Sequence, residues 1–134
     1  MPYHFDWIVP ERVVFTRIYG EVSAEEITEI LIESRQRTLS GRAPVHFIID
    51  VSAMEKQPFT ISKLNEWASN LPDRTTGWWV VINPNSVTMF AITLVSKTLG
   101  VKLKSAHSLE DAVQILEKID QTLIGFLPLK PHYG

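Results

Sequence analysis

The sequence predicts an α/β protein. Its expected core is a mixed, mostly parallel sheet that opens with an N-terminal β-hairpin and carries four helices, in the order β-β-α-β-α-β-α-β-α. Three observations lead there. Two short apolar runs, Val45 to Val51 and Trp78 to Ile82, read as strands buried on both faces. Segments with 3.6-residue apolar spacing lie between the strand candidates, most of them introduced by capping residues. Strands that alternate with helices pair in parallel through right-handed crossovers.

Tyr3 to Val9 is rich in aromatic and β-branched residues and reads as the first strand. Pro10-Glu11 is a turn, Arg12 to Tyr19 the second strand, and Gly20 its end. Ser23-Ala24-Glu25-Glu26 forms a capping box, because the Ser23 hydroxyl and the Glu26 carboxylate can satisfy each other's backbone amides. The first helix then carries Ile27, Ile30, Leu31 and Ser34 on one face and stops at Gly41, with Arg35 and Arg37 near the negative end of its dipole.

Val45 to Val51 is the central strand, followed by a loop through Pro58. A second helix is expected from near Thr60 to Leu71-Pro72, with Ile61, Leu64, Trp67 and Ala68 inward. Trp78 to Ile82 is the next strand, and Asn83-Pro84-Asn85-Ser86 a turn that caps a third helix. That helix places Val87, Phe90, Ala91, Leu94 and Val95 on one face and closes at Gly100. Val101 to Lys104 alternates apolar and basic residues, as an edge strand with one wet face does. Ser108 to Asp111 resembles a capping box, and the fourth helix carries Leu109, Ala112, Val113 and Leu116 inward. Residues 1–124 form one domain, and 125–134 form a C-terminal tail with two prolines and no periodicity.

The 134 residues suit one core, and a chain that is 45% hydrophobic and 21% charged has an ordinary globular balance. The net charge of -2 and the scattered Lys and Arg residues argue against nucleic acid as the main ligand. The chain has no cysteine, which excludes disulfides, thiolate metal sites and cysteine catalysis. The N-terminus has no basic region followed by an apolar stretch, and no apolar run approaches the roughly 18 residues of a membrane span. The expectation is a cytoplasmic protein that does not span a membrane.

Phosphate-cradling glycine loops, the G-x-S-x-G elbow and H-E-x-x-H are all missing, so no catalytic motif and no cofactor is expected. His4, His46, His107 and His132 are not spaced as metal ligands, and no metal site is expected; His46 reads as a packed or surface histidine. Asp50 ends the central strand and Ser52 follows closely, at the place where α/β sheets bind ligands. A carboxylate there could bind Mg2+ or take a proton. The residues favour the plainer role of capping the backbone beyond, because no second carboxylate or lysine motif accompanies Asp50. Adjacent Trp78 and Trp79 must point to opposite faces of their strand.

The element order, the stretch His46-Phe47-Ile48-Ile49-Asp50-Val51-Ser52, the helix Ser86 to Leu99 and the segment Ala106-His107-Ser108-Leu109-Glu110-Asp111-Ala112 together resemble the SpoIIAA-like, or STAS, domain family of anti-sigma-factor antagonists, which is related to Sec14-like domains. The resemblance covers roughly residues 3 to 123. It implies a non-catalytic regulatory or protein-interaction module. The contact surface would be the loop from Ser52 to Thr60 and the start of the second helix, with Asp50, Ser52, Thr60, Ser62 and Trp67 as contact or ligand candidates. The alternative is a domain that binds a lipid or another small apolar ligand among its aromatic residues. The family's Asp-Ser-Ser-Gly phosphorylation motif is absent: Phe59 stands at the serine position, which leaves Thr60 as the candidate phosphorylation site. The resemblance also implies that the helices gather mainly on one side of the sheet. Ile48 and one of the adjacent tryptophans would then need another cover, either the tail residues Phe126, Leu127, Leu129 and Tyr133 or, by preference, a second copy in a homodimer.

Overall fold

The computed structural model describes residues 3–56 and 76–125. The expected second helix, with Thr60, Ser62 and Trp67, and the tail beyond Gly125 lie outside the described residues. Within them the chain is α/β: strands β1 (Tyr3–Val9), β2 (Val13–Glu21), β3 (Val45–Lys56), β4 (Thr76–Ile82) and β5 (Lys102–Ala106), and helices α1 (Ala24–Ser40), α2 (Ser86–Leu99) and α3 (Leu109–Ile119), followed by a short 3-10 turn at Gln121–Leu123.

The five strands stand side by side in chain order. β1 and β2 form the antiparallel hairpin, and every later neighbour is parallel. The hairpin turn puts Glu11 at a φ of 65° and closes with the Arg12 amide donating to the Val9 carbonyl at 3.0 Å. β3 is longer than the sequence suggests. It pairs with both neighbours as far as Asp50 and then continues along β2 alone to Lys56. The register slips between Arg17 and Tyr19, where two steps on β2 face three on β3. Ser52 therefore lies in a strand beside a bulge and not in the expected loop, since β3 runs to Lys56.

The capping box of α1 is present in both halves: the Glu26 amide donates to Ser23 Oγ at 3.1 Å, and the Ser23 amide to Glu26 Oε1 at 2.9 Å. Gly41 ends the helix for a reason of space. Its backbone is extended, but a Cβ there would lie 2.6 Å from the Glu11 carbonyl oxygen and 2.7 Å from Val45 Cγ2. Asn85 caps α2 by accepting from the Thr88 amide, and Gly100 ends it in the left-handed conformation that suits glycine. Ser108 caps α3, while Asp111, too short for a full capping box, accepts from the His107 amide instead.

The sheet is covered on both sides. Phe47, Ile49 and Val51 face α1 and α2, among Ile27, Leu31, Ile92 and Val95, as their alternation predicts. Ile48 faces the other way and is fully buried, in a cluster with Phe15, Val80, Ala112, Leu116 and Leu123. Of the described helices, α1 and α2 share one face and α3 alone takes the other, so the cover that Ile48 was expected to need comes from α3. α1 and α2 each join parallel neighbours, so the right-handed rule sends both to the same face. α3 follows the last strand, joins nothing in the sheet, and packs on the face left bare. Trp79 points toward α1 and α2 and is buried. Trp78 lies on the α3 side, half-buried, with the Lys102 and Lys104 ammonium groups 5.5 and 5.8 Å from its ring centre. Ile48 is thus covered by α3 of the same chain, while Trp78 keeps part of its ring exposed.

The capping geometry yields a direct expectation. Ser23→Ala removes one acceptor and releases Glu26, and should cost about 1 kcal/mol. A urea midpoint equal to that of the wild type would show that the box does not hold the helix start.

Candidate functional site

Asp50 and Ser52 sit together at the end of the β3–β4 pairing. The Ser52 amide and hydroxyl both donate to Asp50 Oδ1, at 2.9 and 2.6 Å. One carboxylate oxygen is thereby committed to the bulge, which is the capping role the residues favour. Thr60, Ser62 and Trp67 lie outside the described residues. Among the described residues no group of three His, Asp or Glu side chains could hold a metal ion, and no helix is long and apolar enough to cross a membrane.

The most elaborate polar cluster is one the sequence does not announce. His46, only 2% exposed, lies near the start of β3. Its Nδ1 accepts from the Trp78 amide at 3.0 Å, so the proton sits on Nε2, which donates to Asp120 Oδ2 at 3.0 Å. Arg12 Nη2 donates to the same Asp120 oxygen at 2.8 Å and to Thr122 Oγ1 at 3.3 Å. The Thr122 amide and hydroxyl hold the other oxygen, Oδ1. Gly77 makes room for the ring, since a Cβ there would overlap His46. Burial pushes the His46 pKa down, against the opposing pull of Asp120. Burial also resists ionisation of Asp120, but the hydrogen bonds from Thr122 and His46 and the Arg12 charge outweigh it and hold that pKa below the ordinary carboxylate value.

This His–Asp pair resembles a catalytic dyad in composition only. Both ring nitrogens are occupied, so neither can take a proton from a substrate. The pair also lies at the amino end of the parallel strands, whereas ligands of such sheets bind at the carboxyl end. It ties the hairpin turn at Arg12, β3, β4 and the turn after α3 into one unit.

A different feature has the form of a binding site. Between α1, α2 and the sheet lies a cavity of about 100 Å3, walled by side chains that include Ile30, Leu31, Phe47, Ile49 and Ile92. Two hydroxyls interrupt the apolar wall. Ser34 Oγ donates to the Ile30 carbonyl within its own helix at 2.7 Å. Thr16, 2% exposed, has no hydrogen-bond partner for its Oγ1 among the described residues. The pattern of β2 holds a signal that could have found it: Val14, Thr16 and Ile18 form the face turned toward α1, and Thr16 is its one polar member.

A third feature lies outside the core. α2 places Thr88, Ala91 and Ser96 in buried positions and turns Val87 and Phe90, 64% and 65% exposed, to solvent. The sequence expectation put Val87 and Phe90 on the same face as Ala91 and Val95. The structure shows that face rotated, with Ile92 and Val95 packed on the sheet. The cause is that apolar residues surround this helix, so periodicity alone cannot select the inner side.

Neither a comparison with protein-family models nor one with curated proteins finds a match for the chain, and the functional reading rests on these features.

Two outcomes test the polar assignments. The His46 pKa is lowered on folding, so between its folded value and 6.5 the unfolded chain binds more protons. Stability should therefore be full above about pH 6.5 and fall as the pH drops below it. Loss at Asp120 follows only in stronger acid, below the ordinary carboxylate range. His46→Gln can keep a donor and an acceptor but cannot titrate; urea midpoints at pH 7.5 and 5 should lie closer together in that variant. An equal gap in both proteins would remove His46 as the cause. Thr16→Val should raise stability by about 1 kcal/mol, because it replaces an unpaired buried hydroxyl with a methyl group of similar size. A lower melting temperature would mean that the hydroxyl has a partner.

Proposed function

We propose that this chain is a non-catalytic, STAS-like regulatory module that works by binding another protein, and that the outer face of α2 is part of its contact surface. The observation that carries the reading is the exposure of Val87 and Phe90, one turn apart on a helix whose inner side is already packed. A phenylalanine held mostly in water next to an exposed valine serves no folding purpose, and spacing of this kind is how a helix presents anchors to a groove or to another helix. α2 has one charged residue, Lys97, so desolvating its outer face would strand little charge. The fold-family part of the proposal is supported by the hairpin start, the sequential strand order and the parallel pairing from β2 onward.

The surface differs from the one inferred by resemblance. Asp50 and Ser52 bond to each other in the bulge, and the remainder of that loop and helix lies outside the described residues. A regulatory role for Thr60 stays part of the proposal only through the resemblance.

The test uses the full chain immobilised beside its Phe90→Asp variant and exposed to lysate of the native host. The wild type should retain at least one protein that the variant loses by tenfold or more. The variant's stability should change by less than about 0.5 kcal/mol, as for other surface substitutions. Equal retention by the two chains removes α2 from the contact surface.

A further inference from the structure

The cavity between α1, α2 and the sheet lies on the opposite side of α2 from that docking face. We propose that it is a binding site for a small, mainly apolar molecule bearing a single oxygen, an alcohol or a carbonyl compound, whose oxygen hydrogen-bonds Thr16 Oγ1. Two independent observations meet here. One is a partly open apolar space of about 100 Å3 between α1, α2 and the sheet. The other is a hydroxyl on its wall, almost wholly buried and without any hydrogen-bond partner.

Buried polar groups are paired in nearly all native proteins, and an exception calls for an explanation. Two bland occupants fit poorly. A buried water makes about three hydrogen bonds. Among the described residues the wall offers Thr16 Oγ1 and Ser34 Oγ, and the Ser34 proton is already given to Ile30. An empty cavity would leave the Thr16 hydroxyl desolvated with nothing in return. A molecule with one oxygen on a hydrocarbon body satisfies both demands: the body fills the space among Leu31, Phe47, Ile49 and Ile92, and the oxygen meets Thr16.

Size sets the upper limit. An engineered apolar cavity of about 150 Å3 holds benzene. The present cavity is smaller, so its ligand has roughly five heavy atoms or fewer, well below the usual range for drug-sized ligands of about 300–1,000 Å3. Thr16 selects for the oxygen as a built hydrogen-bonding site does, by leaving a buried group unpaired when the ligand lacks it. Among the described residues the wall carries no charged side chain, which disfavours an ionised ligand such as a carboxylate or an amine.

The experiment titrates the full chain and Thr16→Val with two probes of matched length, 1-butanol and n-pentane, following backbone amide shifts by NMR. The wild type should show saturable shifts at Thr16, Leu31, Phe47 and Ile49. Its affinity ratio for butanol over pentane should exceed that of Thr16→Val by about fivefold, the effect of one neutral hydrogen bond. The filling variant Ala91→Leu, which projects a larger side chain into the same space, should lose both probes. The proposal is overturned by the absence of saturable shifts with both probes, by shifts confined to the α2 surface around Phe90, or by an equal ratio in the wild type and Thr16→Val. Because Phe90→Asp leaves the cavity wall intact, it should bind butanol as the wild type does, which separates this site from the docking face.

Discussion

Phe47 and Ile48 are neighbours on β3, point to opposite faces of the sheet, and are both sealed from water. That double burial is the constraint around which the rest of the chain is arranged. A central parallel strand has to be covered twice, and the two covers arrive by different routes. Crossover handedness places α1 and α2 on one face. No crossover governs α3, which closes the second face because Val80, Ile48 and Phe15 would otherwise meet water. Its inner residues Ala112, Val113 and Leu116, with Leu123 beyond, supply what that face lacks.

The two buried polar groups of the sheet illustrate opposite solutions. His46 is fully committed: one nitrogen takes a backbone amide of β4, the other gives its proton to Asp120, and Arg12 balances the carboxylate. Such a network is tolerable in a core because nearly every member has a partner, and it fixes the position of the turn after α3 relative to the hairpin turn and two strands. Thr16 has a hydroxyl in a comparably dry place with no partner. One cluster holds the fold, while the other leaves a valence open toward a cavity, which is the condition under which a small molecule gains specificity.

α2 joins the two candidate functions in one element. Its inner side contributes Ala91, Ile92 and Val95 to the cavity wall, and its outer side exposes Val87 and Phe90. Fourteen residues with a single charge give the helix little polar surface to turn toward solvent. An occupant of the cavity and a partner on the outer face would therefore press on the same helix from opposite sides.

Much of the architecture was legible in the residues alone. Apolar runs, β-branched content, one alternating stretch and period-3.6 spacing located the five strands and three helices of the described residues, and Ser23, the turn Asn83 to Ser86, and Ser108 marked the helix starts because capping is a local interaction between residues three apart. Alternation along β3 correctly separated Phe47 from Ile48. Tertiary structure alone decided the rest. Which side of α2 faces inward was settled by packing, since apolar residues surround the helix. The side taken by α3 was settled by the bare face it had to fill. The joining of Arg12, His46 and Asp120 spans more than a hundred positions of chain and leaves no short-range trace. Whether Thr16, read as an ordinary strand residue, would find a partner depended on what α1 and α2 brought opposite it, and they brought apolar side chains and a serine whose proton was already engaged.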